Sequence, residues 1–195
     1  MRITRVFIGV LMLVGLAACG GQENGNGNGD TSPTVTPASG FNVTKSGVRV
    51  GLPSTWREIA ASEYPSTVLS REPVAVFRRR EADGGVFPNI VITRQTLGSD
   101  ITPLEFSRAT RENTSASLFD YEQLAVSERT LGAQQTAVVE FLARSAPDAR
   151  RLRFWQVALT RPGTGFVITA AAATEPAETV TNEIRSVLNS IAFSE

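Results

Sequence analysis

The chain is predicted to fold as an α+β domain, a mostly antiparallel β-sheet sandwiched between α-helices. Three observations carry this. Strand-like runs recur in pairs around short turns containing Gly, Pro or Ser, which is the spacing of hairpins. The later strands are apolar on both sides, and a strand without a wet face must be covered twice. Two segments carry helix signals: a capped start at Thr102, and an apolar stripe from Val180 to Ile191. A sheet with helices on both faces satisfies all three.

Residues 1–18 precede that domain. Arg2 and Arg5 are followed by an apolar run from Val6 to Leu16, then Leu16-Ala17-Ala18-Cys19. A positive start, a short apolar middle and small residues at the cut are the order of a secretory signal peptide. The apolar run is 11 residues, whereas a membrane-spanning helix needs about 20. With a cysteine at the cut, the segment resembles the lipobox of bacterial lipoproteins. The resemblance implies cleavage before Cys19 and lipidation of its thiol with chains such as palmitate. The protein is then expected outside the cytoplasm, lipid-anchored in the cell membrane or the outer membrane. Gly20 stands where many Gram-negative lipoproteins carry a retaining aspartate, so outer-membrane sorting is allowed.

Residues 19–40 read as the lipidated cysteine and a flexible tether. The run Gly20 to Asp30 is Gly/Asn-rich, and Thr31 to Gly40 is Thr/Pro-rich. Neither can bury enough apolar surface to offset the entropy of ordering. Gly25-x-Gly27-x-Gly29 looks like a phosphate loop, but it lacks the strand before and the helix after that such a loop requires.

Residues 41–195 are the folded domain. Phe41–Thr44 and Val48–Val50 flank Ser46-Gly47, a tight hairpin, and Leu52-Pro53-Ser54-Thr55-Trp56 closes that unit. Val74–Arg80 and Pro88–Thr96 flank a Gly-rich turn. Thr102 caps a helix running to about Leu118, with Pro103 at its first position and Glu105 completing a capping box. Tyr121–Glu128 with Gln135–Arg144, and Arg150–Thr160 with Phe166–Ala173, form two more hairpins. A last helix spans about Pro176 to Ile191.

These pieces resemble a known family. Gly51-Leu52-Pro53-Ser54-Thr55-Trp56 follows an opening hairpin, Pro88-Asn89-Ile90-Val91-Ile92 sits in a central strand, and the last helix ends in Ser190-Ile191-Ala192-Phe193. With the capped mid-chain helix and two long hairpins, they look like the PsbP-like domain, whose relatives include Ran-binding Mog proteins and DcrB-type and LpqN-type lipoproteins. The resemblance spans nearly all of residues 41–195. It implies an α/β/α sandwich that binds or assists assembly, and it offers no catalytic motif to transfer.

Composition points the same way. The chain holds 19 basic and 19 acidic residues; without Arg2 and Arg5 the balance is 17 against 19. A partner such as nucleic acid needs a basic excess, so none is expected. With Cys19 acylated no thiol remains for a disulfide. The chain has no histidine, which removes the commonest general base and the usual zinc ligand. A Ser-Lys pair would have to use Lys45 beside Ser46, at a turn where lysine is normally solvated. Carboxylate chemistry would fall to Glu72, Glu81 and Asp83, which flank strand ends and turns. The chain is therefore expected to bind an envelope protein or ligand, not to catalyse, and to need no cofactor or metal. A lipid or small-ligand carrier is the alternative and requires a deep apolar cavity; a histidine-free hydrolase is a third reading.

Two arginine groups are the sharpest remaining features. Arg78-Arg79-Arg80 ends one strand, and Arg150-Arg151-x-Arg153 begins another. On a strand Arg78 and Arg80 share a face, as do Arg151 and Arg153. Converging, they would form a fork for carboxylate or phosphate groups; apart, they would pair with nearby acids. Trp56 and Trp155, among apolar neighbours, are expected in the core.

Overall fold

The computed structural model describes residues 40–64 and 73–194; the expected signal peptide, Cys19, the expected tether up to Ser39, and Glu72 lie outside the described residues. Strand β1 (Phe41–Lys45) pairs with β2 (Val48–Leu52). Between them Ser46 and Gly47 both have positive φ, 50° and 78°. A type I′ hairpin turn requires that, and glycine meets it at no steric cost. Then come β3 (Trp56–Glu58), β4 (Pro73–Arg79), β5 (Asn89–Thr96) and α1 (Pro103–Ser117). Four long strands follow: β6 (Phe119–Leu131), β7 (Gln134–Arg144), β8 (Leu152–Arg161) and β9 (Thr164–Ala173). The described chain closes with α2 (Glu178–Asn189) and β10 (Ala192–Phe193).

Seven strands make one sheet in the order β3-β4-β5-β9-β8-β7-β6, every neighbouring pair antiparallel. β10 returns to β2 and builds a second, small sheet, β1-β2-β10. The α+β class and the mostly antiparallel sheet agree with the sequence expectation. One cover differs from it. The front face of the large sheet lies under α2 and the small sheet together, because β2 turns one apolar face inward: Val48, Val50 and Leu52 are buried against the same cluster as α2.

The front core packs Phe77, Ile90, Trp155, Val157 and Ile168 against Val180, Ile184, Val187 and Leu188 of α2. Strand β9 supplies small partners to large ones: Ala170 lies opposite Trp155, and Ala171 opposite Phe154. That alternation lets large and small side chains interdigitate, as a close-packed interior requires. Trp56 is fully buried, and its indole N–H donates to Glu183 Oε2 of α2 at 2.9 Å. Arg79 Nε donates to the same oxygen at 3.1 Å. One carboxylate thereby ties β3 and β4 to α2.

On the back face α1 lies across β7 and β8, with Phe106 against Ala158 and Val167. Its buried face is partly polar: Ser107 and Thr114 are partnered across the layer, while the buried Thr110 hydroxyl has no partner among the described residues. Thr114 Oγ1 donates to Gln156 Oε1 at 3.2 Å, and Gln156 Nε2 donates to Thr169 Oγ1 at 3.2 Å. Further along, Tyr121, Phe141 and Phe154 stack with ring centroids 5.0 and 5.1 Å apart.

The capping box at α1 forms as expected. The Glu105 amide donates to Thr102 Oγ1 at 3.2 Å, while Glu105 Oε2 accepts from the Thr102 amide at 2.9 Å and its hydroxyl at 2.8 Å. Those bonds, the backbone amide first, hold the Glu105 carboxyl below its ordinary pKa of 4.5. A lowered folded-state pKa adds stability above the ordinary value and loses it as pH falls through the lowered one. Glu105→Gln is therefore expected to flatten the acid limb of the melting temperature against pH, while leaving the neutral limb slightly lower.

Candidate docking edge and groove

Among the described residues, strand β6 is the last strand of the large sheet and is paired on one side only, with β7. It is 13 residues long, and only Leu131 is buried. Among the described residues four large hydrophobics are exposed; Phe119, Leu124 and Val126 of β6 are three of them. An open edge is a template for another strand, and natural edges are blunted by lysine, proline or bulges. β6 contains neither lysine nor proline. Its pairing with β7 is irregular between Phe119 and Glu122 and between Gln123 and Ala125, then unbroken from Val126 to Leu131. The second half of the edge is therefore regular, with the exposed Glu128 and Arg129 as its only charged residues.

Each face carries a groove between a helix and the β6–β7 pair. The back groove, about 100 Å³, lies between Leu104, Arg108 and Arg111 of α1 and Val126 and Glu128 of β6. Nearby, burial raises the Tyr121 phenol above its ordinary pKa, and the Arg111 charge offsets part of that.

The front groove is larger, about 250 Å³. Ser127 and Arg129 of β6 form one wall, Arg185, Leu188 and Asn189 of α2 the other, and Trp155 lines it from β8. Trp155 is only 1% exposed, yet its indole Nε1 has no hydrogen-bond partner among the described residues. Glu140 also lines the groove but is occupied: Arg153 Nε donates to it at 2.6 Å. The Arg153 guanidinium sits 5.4 Å over the Trp155 ring. Arg129 Nη1 donates to Asn189 Oδ1 at 3.0 Å. Arg185 is exposed and pairs with no acid within 4.0 Å among the described residues.

The expected arginine fork does not form. Arg78 lies 5.1 Å over Phe87. β4 ends at Arg79, so the alternation that would place Arg80 beside Arg78 has stopped; Arg80 Nε instead donates to the Ser54 carbonyl at 3.3 Å. Arg151 Nη2 donates to Glu122 at 2.5 Å, and Arg153 is held by Glu140. β5 and β9 separate β4 from β8. The register line from Arg78 runs through Asn89 and Ala171 to Phe154, and neighbouring residues on a strand face opposite ways. Arg78 and Arg153 are thus on opposite faces.

The other chemistry candidates are engaged structurally. Lys45 Nζ pairs with Glu58 at 2.9 Å. Glu81 lies 3.6 Å from Arg79, and Asp83 accepts from the Ala177 amide at the start of α2 at 2.9 Å. Sequence reasoning missed the front groove because Trp155 and Arg185 meet only after β8 and α2 pack. The one local signal was Arg185 on the polar side of an otherwise apolar helix stripe.

No protein-family model matches the chain, and no curated protein matches it by sequence. Solved structures do match it in shape. Cyanobacterial PsbP from Synechocystis aligns at TM-score 0.51 and 17% identity, over 85% of this chain and 98% of that one. The fold is PsbP-like. LpqN of Mycobacterium tuberculosis, described as involved in cell envelope biogenesis, aligns at TM-score 0.56 and 17% identity, covering 80% and 91%. The Saccharomyces cerevisiae Ran-binding protein Mog1p aligns at 0.53 and 10%, covering 80% and 96%. A Bacteroides thetaiotaomicron structure aligns at 0.50 and 10% over 82% of this chain, which spans 50% of that longer one. At such identities the likeness establishes the fold.

Proposed function

We propose that the protein is a lipid-anchored, extracytoplasmic binding module of the cell envelope, and that it takes an extended segment of an envelope protein along β6. The observation that carries this is the edge strand itself, long, unpaired on its outer side and holding most of the exposed apolar side chains. Strand addition draws affinity from main-chain hydrogen bonds and specificity from alternate side chains. Anchoring at Cys19 extends the lipobox resemblance. The reading gives attachment to acyl chains on Cys19, of which two or more hold stably; among the described residues no helix is long and apolar enough to cross a membrane. The envelope role of LpqN and the partner binding of Mog1p agree in kind.

The alternatives fit less well. A carrier needs a deep apolar cavity between sheet and helix, and that space is filled by Trp56, Phe77, Trp155 and Ile184. A carboxylate hydrolase needs two free acids in one cleft, whereas Glu81 and Asp83 hold Arg79 and the start of α2.

Leu124→Asp with Val126→Asp tests the docking edge. Both positions are exposed, and surface substitutions away from packed features usually change stability by within about 0.5 kcal/mol. The melting temperature is expected to stay within about 3 °C, while the partner recovered by crosslinking the lipidated wild type is lost. Equal recovery by both would overturn the reading.

A further inference from the structure

We propose that the front groove is a carboxylate subsite, seating one acidic side chain of the segment that docks along β6. The inference rests on the docking reading above and adds the chemistry of its partner.

The groove is continuous with the edge, because Ser127 and Arg129 belong to both. At about 250 Å³ it falls below the roughly 300–1,000 Å³ of sites that hold a whole drug-sized ligand. It suits one end of something larger. Two of its residues carry donors with no acceptor or acid beside them among the described residues: the Trp155 indole N–H is buried and unpartnered, and Arg185 has no acid within reach. A buried donor left unmade is unfavourable until an acceptor arrives. Arg129 spends one nitrogen on Asn189 and keeps the rest of its planar fork, which suits a carboxylate. Glu140 is neutralised by Arg153 but remains in the lining. Leu188 gives the short stem of an acidic side chain an apolar seat. The back groove carries Arg108 and Arg111 against Glu128, so both sides of the edge favour an acidic segment.

The test uses the whole folded protein and four probes: a ten-residue alternating Thr-Glu peptide, its Thr-Gln counterpart, glutarate and inorganic phosphate. The Thr-Glu peptide is expected to bind about tenfold tighter than Thr-Gln, to shift the Trp155 indole N–H resonance downfield, and to slow amide exchange from Val126 to Leu131. Arg185→Gln and Arg129→Gln, both at exposed positions, should remove most of that preference without changing the fold. Equal protection of β6 by both peptides, with the indole unmoved, would overturn the subsite and leave docking intact. Glutarate moving the indole as strongly as the peptide, with β6 exchange unchanged, would overturn docking and give the subsite to a free dicarboxylate. A stronger response to phosphate would overturn the choice of carboxylate, and no response to any probe would overturn both proposals.

Discussion

Cys19→Ala is expected to abolish palmitate labelling of the protein and to release it from the membrane pellet. The size of the effect follows from the anchor's arithmetic. Residues 19–195 carry 17 basic against 19 acidic residues, so the protein without residues 1–18 has no basic excess to hold it on an anionic bilayer. A single acyl chain binds marginally and two or more bind stably, so losing the only cysteine removes the whole attachment at once. Labelling reads the acyl group on the thiol directly, whereas pelleting alone would also report a leader peptide that stayed attached. A Cys19→Ala variant that stayed labelled would contradict the lipoprotein reading.

Trp56→Ala is expected to lower stability by about 3–5 kcal/mol, the usual cost of truncating a large buried aromatic. Trp56 is fully buried in the front core. Its removal opens a cavity where β3, β4 and α2 meet, and also deletes the indole donor to Glu183. The carboxylate is then left with Arg79 alone. For a domain of this size the loss corresponds to a fall of about 10 °C in melting temperature. Trp56→Phe keeps most of the volume and loses the hydrogen bond, so about half that fall is expected. A change of less than 2 °C in thermal denaturation of Trp56→Ala would show that the front core is packed differently.

Much of the fold was legible because local chemistry and tertiary need coincide. The Ser46-Gly47 turn, the Thr102–Glu105 cap and the α2 stripe all form where turn, cap and periodicity rules place them. The two-sided apolar character of β7 and β8 announced a sheet covered on both faces. The misses share one cause. β6 runs from Phe119 to Leu131, past the expected Glu128, because pairing with β7 extends a strand through Arg129 and Thr130 that local polarity would end. β3 and β10 are three and two residues long and exist only through partners distant in the chain. The arginine fork failed for a related reason: where β4 ends, at Arg79, decides whether Arg80 shares a face with Arg78. The groove at Trp155 and Arg185 is a product of packing between β6, β8 and α2, which no single segment encodes.

The central claim is that partners meet this protein along β6. A photo-crosslinking side chain placed at Val126, and in a separate variant at Phe41, tests it directly on the lipidated protein in its own membrane. Phe41 is equally apolar and exposed, but it lies on β1 of the small sheet. The account predicts one discrete adduct of higher mass from Val126 and none from Phe41. Adducts of equal yield from both positions, or none from Val126, would contradict it.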